Sequence, residues 1–310
     1  MIVTITPNPL LNYVLHLPSF PPDGPRRLPT LPWTVGGKGI NVARLLKTLG
    51  RPAVAIGFGG GPNGDKIRQR LQDSGITARL IPTSGETRVG IDLVIDHPPA
   101  HHWWMENGSD LTPGEVLALV EEAERWRDRA GFVAMSGTLP GNGQTDLYRR
   151  LLECLHGSRA EIYLDARGAP LLEALAVGGF FVKHNRQEFS ETFQADPFVD
   201  PGSNPAFGRL ARSRVPGALI TDGAGPALLW DPPHFHVLVP PCVRQVSSVG
   251  SGDAALAGFI YARTLGHPPL EAARWAMAAG AADACHAGPC EATFDEVATL
   301  LPQVATRRLP

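Results

Sequence analysis

Lysine is scarce in this 310-residue chain: of 28 basic residues only Lys38, Lys47, Lys66 and Lys183 are lysines, and the rest are arginines. Codon bias explains such a skew, and each remaining lysine then merits inspection. Cysteine is scarce too. Cys154, Cys242, Cys285 and Cys290 are scattered without a CxxC pair, so neither a disulfide framework nor a zinc-ligand spacing is indicated. Excess charge is absent, because 28 basic and 30 acidic residues leave a formal net charge of −2. That argues against the broad basic surface of a nucleic-acid binder. No apolar run approaches bilayer length. The opening MIVTITPNPLLNYV carries no charged leader, and Pro7 and Pro9 would break a signal-type helix. Gly (34) and Pro (30) stay below the share that marks disorder. With 43% hydrophobic residues, the chain can bury the core of one large or two ordinary domains. The expectation is a cytoplasmic globular protein with neither a nucleic-acid nor a membrane partner.

Short β-rich runs alternate with amphipathic helices, which predicts an α/β fold around a mainly parallel sheet. The expected strands are residues 2–6, 53–58, 132–136, 162–165, 181–183, 218–221 and 227–230. Val42, Leu45, Leu46 and Leu49 form one helical stripe. Thr112-Pro113-Gly114-Glu115 supplies an N-cap, a Pro at the first helical position and a capping-box Glu for a helix to about Arg127. Helices are also expected over 254–265 and 270–285. Val89, Ile91, Leu93 and Ile95 alternate with polar or small residues, as in a strand with one covered and one wetter face. Residues 13–17 form a weaker candidate of the same kind, so a small separate sheet is expected to project from the body. No internal repeat or interdomain linker stands out.

Two glycine-rich stretches carry chemistry. In Val249-Gly250-Ser251-Gly252-Asp253 small residues feed a turn into a helix, where free amides and the helix dipole favour an anion. Asp253 could take a proton from a hydroxyl there while the amides hold a phosphoryl group. An ordinary loop with Asp253 as N-cap would have the same tetrapeptide. Gly36-Gly37-Lys38-Gly39-Ile40-Asn41 also opens a helix. It is not a Walker A loop, but it offers an ammonium, an amide and close backbone approach.

Together these stretches resemble the paired signatures of the ribokinase-like carbohydrate kinases, the PfkB family. Further landmarks keep the family's order: Asn8-Pro9, the lid motif Gly85-Glu86-Thr87-Arg88, the turn Ser136-Gly137-Thr138-Leu139-Pro140-Gly141, Asp165, Lys183-His184-Asn185-Arg186-Gln187-Glu188 and Thr221-Asp222-Gly223. The likeness is greatest to the 1-phosphofructokinase and tagatose-6-phosphate kinase branch. It implies a three-layer ribokinase-like fold over residues 1–310 as one kinase domain, with a β-sheet lid from about 9–30 and 87–108. It implies transfer of the γ-phosphoryl of ATP to fructose 1-phosphate, fructose 6-phosphate or tagatose 6-phosphate. Asp253 would be the base, and Gly250, Ser251 and Gly252 the anion hole. Lys183, Asn185, Thr221, Gly223, Gly250 and Gly252 would meet ATP, and Asn185 and Glu188 would organise Mg²⁺ through water. Asn12, Gly36, Gly37, Lys38, Gly39, Asn41 and Arg88 would bind the sugar phosphate, with Arg27 assisting at its phosphate. The lid would also pair two subunits into a homodimer.

Several residues depart from the pattern. Asn12 stands where the family usually has Asp, Gly90 where this branch favours Asn, and Pro25 and Arg26 are unusual near the first lid strand. Trp103-Trp104 could stack on a sugar or a larger aromatic acceptor. On the nucleotide side, Pro226 and His286 are atypical. Two alternatives therefore stand: a kinase for an unphosphorylated sugar or nucleoside, and a sugar-phosphate-binding regulator without catalysis. Gly59-Gly60-Gly61-Pro62-Asn63-Gly64 fits GxGxxG but lacks a partner acid for a ribose, and reads as a structural turn. His97, His101 and His102 read as an exposed edge rather than metal ligands. Residues 125–129 read as a solvated helix face.

Overall fold

Strands of five or six apolar residues can only be stable if helices cover both faces of the sheet, and the computed structural model has that arrangement. It describes residues 1–20, 24, 27, 30–97, 100–141 and 145–310. Along the chain run β1 (Ile2–Thr6), β2 (Leu10–Ser19), β3 (Trp33–Gly36), α1 (Lys38–Thr48), β4 (Ala53–Phe58), α2 (Gly61–Asp73), β5 (Thr77–Ile81), β6 (Val89–His97) and β7 (Ala100–Met105). There follow α3 (Pro113–Glu124), β8 (Phe132–Ser136), α4 (Leu147–Leu155), β9 (Glu161–Asp165), α5 (Ala169–Ala174), β10 (Phe181–Asn185), α6 (Arg186–Phe193) and α7 (Pro205–Arg212). The chain continues through β11 (Ala218–Asp222), β12 (Gly225–Asp231), β13 (His234–Val239), α8 (Ser251–Thr264), α9 (Pro269–Asp283), α10 (Phe294–Leu300) and β14 (Ala305–Arg308).

Among the described residues, ten strands form one sheet in the order β14-β13-β12-β11-β10-β9-β8-β1-β4-β5. From β5 to β11 every pairing is parallel, and β12, β13 and β14 add an antiparallel edge. Ile2 faces the core formed with α1, α2, α8, α9 and α10, whereas Val3 and Ile5 face the one formed with α3 to α7. Helix α8 is buried almost all round, and Gly258 lets it press on α9: a Cβ there would lie 2.7 Å from the Trp275 carbonyl. No described helix is long and apolar enough to cross a membrane.

The chain leaves β1 for β4 and β5 on one side, then returns to β8 on the other. This reversal opens a crevice at the C-terminal strand ends, where α/β sheets bind ligands. Thr6, Ser136, Asp165, Asn185 and Thr221 all stand at or beside that edge. A second sheet, β3-β2-β6-β7, holds the two alternating strands expected from the sequence. Its apolar face is partly open: Ile95 is buried and Val89 and Leu93 half-buried, but Ile91 is 48% exposed, although the alternation suggested a covered side. Pro25 and Arg26 lie outside the described residues, as does part of the 9–30 segment.

The GxGxxG segment is a packed turn. A Cβ on Gly60 would fall 2.0 Å from the Gly85 carbonyl oxygen, and one on Gly64 2.5 Å from the Gly59 carbonyl carbon. Thr112 and Glu115 form the expected capping box, and α3 ends at Glu124 before a turn through residues 125–129.

Candidate active site

The Gly36–Gly39 turn is shaped by the end of β1. Gly37 is the N-cap of α1 at φ 133°, and a side chain there would meet Thr6 Cγ2 at 2.7 Å. A Cβ on Gly39 would lie 2.5 Å from Thr6 Oγ1 and 3.0 Å from the Ile5 carbonyl oxygen. These glycines therefore let α1 start against β1, a packing reason that the sequence reading did not supply.

Once α1 starts there, Lys38 and Asn41 fall three residues apart on one side of the helix. Lys38 Nζ reaches Asp165 Oδ1 at 2.7 Å and Glu188 Oε1 at 3.0 Å. Burial alone would pull its pKa down, but the carboxylates of Asp165, Glu188 and Asp253 hold it well above the usual lysine value. Asn41 Nδ2 donates to Asp253 Oδ2 at 2.8 Å. Asp253 is only 7% exposed and lies inside the first turn of α8, where Gly250 rather than Asp253 is the N-cap. Burial pushes its carboxyl up to about 7 and the neighbouring Asp165 charge adds to this, while Lys38, the Asn41 amide and Lys183 oppose it.

Gly250 adopts φ 89° and presses on Pro289. The first amides of α8 have no intrahelical acceptor. One expected anion donor is already engaged: the Ser251 amide closes a turn onto the Ser248 carbonyl at 3.3 Å. Its Oγ is buried without a hydrogen-bond partner among the described residues. Lys183 Nζ would stand 3.6 Å from a Cβ on Gly252, beside the turn. It donates to Thr221 Oγ1 at 3.2 Å and to the His184 carbonyl at 3.3 Å, and burial lowers its pKa. Gly223 forms the open turn between β11 and β12.

Asn185 and Glu188 form the capping box of α6, Asn185 Oδ1 accepting from the Glu188 amide at 2.8 Å and Glu188 Oε2 from the Asn185 amide at 3.2 Å. Burial raises the Glu188 pKa, but Lys38 and Lys183 outweigh it and hold the carboxyl down to about 2. At the other end of the crevice Arg88 donates to the Asn8 carbonyl at 2.8 Å and the Glu106 carbonyl at 3.2 Å. Its Nε is buried without a partner, no carboxylate pairs with it among the described residues, and burial lowers its pKa to about 10. It lines an open cavity of about 490 Å³ with Asn63, Glu86 and Asn107. Asn12 lies opposite Gly90 in the small sheet, with a buried Oδ1 lacking a partner among the described residues. Arg27 is exposed, and most of its sequence neighbours lie outside the described residues.

Three findings were not anticipated. Asp165 is a direct partner of Lys38, whereas the sequence marked it only as a strand end. Arg44, one helical step beyond Asn41, donates to Asn41 Oδ1 at 2.8 Å. Its i+3 spacing was the available signal. The Trp103-Trp104 pair is split by the pleat: in register, Trp103 lies opposite Asp92 and Trp104 opposite Ile91. Trp103 thus shares the face of Asn12 and Gly90, while Trp104 stacks on His102 at 5.6 Å on the other face.

The profile described as pfkB family carbohydrate kinase matches residues 6–295. A 1-phosphofructokinase of Borreliella burgdorferi is 30% identical over 98% of this chain and 97% of that protein. An ATP-dependent 6-phosphofructokinase isozyme 2 of Mycobacterium tuberculosis is 28% identical over 96% of this chain and 87% of that protein. Phosphofructokinase-2 of Escherichia coli, crystallised with potassium, superposes with a TM-score of 0.89 over 97% of this chain and 98% of that one. At 24% identity that likeness speaks for the fold. The same enzyme has been solved in a tetrameric inhibited form, TM-score 0.87, at 24% identity over the same shares of the two chains.

Proposed function

This chain belongs to the pfkB family of carbohydrate kinases, and from that premise we propose that it transfers the γ-phosphoryl group of ATP to a hydroxyl of a phosphorylated ketohexose. One observation carries the reading. A buried carboxylate, Asp253, receives the Asn41 amide within one turn of a glycine-built helix start, with Lys38 and Lys183 beside it.

Asp253 takes the proton of the acceptor hydroxyl, and a carboxyl near 7 is ionised enough at neutral pH while remaining basic. The Gly250 and Gly252 amides, with the Ser251 hydroxyl, stabilise charge on the group in transit. Lys183 holds the nucleotide phosphates, and Asn185, Thr221 and Gly223 border the nucleotide. Asn12, Gly36, Gly37, Gly39 and Asn41 line the sugar pocket. Lys38 faces the acceptor, and Arg88 takes the phosphate it carries, helped by Arg27, because a guanidinium fork fits phosphate oxygens. An Arg with no carboxylate partner among the described residues supports an anionic acceptor over a neutral one.

Mg²⁺ would be held by Asn185 and Glu188 through water. Each Glu188 oxygen keeps a second lone pair beyond its present bond. Among the described residues no group of three or more His, Cys, Asp and Glu forms a metal cage. Such a site suits an ion that keeps most of its water, and when bound it offsets charge on the phosphates. The small sheet acts as a lid that excludes water. Its open face, with Ile91 48% and Trp104 55% exposed, supports a homodimer formed lid to lid, which light scattering would read as twice the chain mass.

The test is an acceptor panel of fructose 1-phosphate, fructose 6-phosphate, tagatose 6-phosphate, ribose and inosine, followed by ADP release. The highest kcat/KM is expected on a sugar phosphate. A higher value on ribose or inosine would overturn the anionic acceptor.

A further inference from the structure

Among the described residues Asn41 is the one hydrogen-bond donor to the Asp253 side chain, and an amide is ambiguous. Its oxygen and nitrogen ends have nearly the same shape, and a flipped Asn41 would set a carbonyl oxygen against the carboxylate. What fixes the orientation is Arg44, the next residue in the row Lys38–Asn41–Arg44 along α1. Arg44 Nη1 donates to Asn41 Oδ1 at 2.8 Å and to the Pro289 carbonyl at 3.1 Å, and its Nη2 donates to the Val35 carbonyl at 2.9 Å. A cation on the oxygen end leaves Nδ2 as the end that faces Asp253.

The second contact reaches the other half of the site. Pro289 lies directly against the helix-start turn, 2.4 Å from where a Cβ on Gly250 would stand. Cys290 Sγ also lies 3.7 Å from the Gly250 carbonyl. One planar fork thus ties together the strand entering the sugar turn, the amide on the base, and the segment backing the anion turn. A lysine has one point of attachment and could serve only part of this set. Arg44 has no carboxylate partner among the described residues, so its hydrogen bonds go to these uncharged oxygens.

We propose that Arg44 is a positioning residue: it holds the Asn41 amide with Nδ2 toward Asp253 and, through the Pro289 carbonyl, keeps the base in register with the Gly250 turn. The proposal rests on Asp253 being the base. Without Arg44 the amide turns freely, the ionised carboxylate loses a donor, and protonation becomes easier. The other charged or titratable groups facing Asp253 are Lys38 on α1, Asp165 on β9, Lys183 on β10 and the Cys290 thiol, and the substitutions leave these in place.

The experiment measures kcat/KM against pH for wild type, Arg44→Met, Arg44→Lys, Asn41→Ala and the Arg44→Met/Asn41→Ala double variant. ATP affinity by calorimetry and circular dichroism are recorded for each. Arg44→Met should lower kcat/KM by about 10- to 100-fold, the range for losing one hydrogen bond to a charged group, and move the acid limb to higher pH. Arg44→Lys should fall between Met and wild type. In the Asn41→Ala background Arg44→Met should cost clearly less than in wild type, because the share carried by that amide is already lost and only the Pro289 contact remains to be removed. An unmoved acid limb, or losses that simply multiply in the double variant, would overturn the proposal. Should Arg44→Met fail to fold, the acid limb of Arg44→Lys decides by the same criterion. If wild type shows no acid limb and Asp253→Asn keeps its turnover, it is instead the assignment of the base that fails.

Discussion

Replacing Gly250 by Ala adds one methyl group to the turn on which the account depends, and its cost follows from geometry. Gly250 has φ 89° and ψ −15°, outside the usual range of residues with a Cβ. That strain costs about 1–2 kcal/mol. The new methyl would also sit 2.4 Å from Pro289 Cβ, 2.7 Å from Pro289 Cα and 3.3 Å from the Cys290 nitrogen. None of these is the end of a flexible side chain, so the turn and the Pro289 segment must separate by about 1 Å, and misplacement on that scale costs on the order of 100-fold in rate. The expectation is a kcat lowered about 100-fold, with a smaller change in ATP affinity, since Lys183 and Thr221 are untouched. Gly50→Ala is the control. Gly50 has φ 76° but nothing within 4 Å of an added Cβ, so it carries the strain without the collision. Thermal melting should fall for both variants, and kcat only for Gly250→Ala. If Gly250→Ala stays within about threefold of wild-type kcat, the turn does not hold the transferring group.

Further expectations follow from the charge cluster. With a carboxyl near 7, Asp253 must be ionised to act, so kcat/KM should rise with pH through about 7 and then level off. Stability runs the other way: between the ordinary 3.8 and 7 the folded chain holds a proton that the unfolded chain releases, so the cost of charging Asp253 is full above 7 and relieved toward 4. Asp253→Asn should therefore raise the melting temperature at pH 8, with the gain gone near pH 4; a gain equal at both would contradict the burial argument. Lys38→Met leaves Asp165 and Glu188 without their shared cation and should destabilise the protein at pH 7 by about 1–3 kcal/mol, less than for a fully buried pair because Lys38 is partly open to solvent. Glu188, held down to about 2, contributes stability that is full above 4.5 and lost as pH falls through 2, so the deficit should shrink over that interval. Urea titrations at pH 7 and near pH 3 check this.

The seven strands expected from apolar runs all lie in the large sheet: six are parallel strands, whose burial on both faces needs near-continuous apolar residues, and the seventh, β12, pairs antiparallel but is buried over Ala227–Trp230. Five strands went unseen, among them β5 and β7, and for three the reason is visible. His234–Val239 and Ala305–Arg308 belong to the antiparallel edge, where His236 and Arg307 interrupt the apolar pattern. Trp33–Gly36 spans four residues and is a strand only because Leu10–Tyr13 pairs with it. Within the site, Lys38, Asn41, Lys183 and Asp253 could be singled out because glycine turns and strand ends mark their positions. The Lys38–Asp165 pair spans 127 residues and Arg44–Pro289 spans 245, distances that no local pattern encodes. Lysine scarcity pointed usefully to two positions. Lys38 and Lys183 belong to the charge cluster, while Lys47 only reaches the Ser74 carbonyl and Lys66 lies on the exposed side of α2.

The most direct test of the account is the turnover of Asp253→Asn, measured by ADP release on the best acceptor of the panel with ATP binding followed by calorimetry. An amide of the same shape keeps the Gly250 turn but cannot accept the proton, so turnover should fall by about 10²- to 10⁴-fold while ATP affinity is retained. A variant that keeps near wild-type kcat would show that Asp253 is not the base.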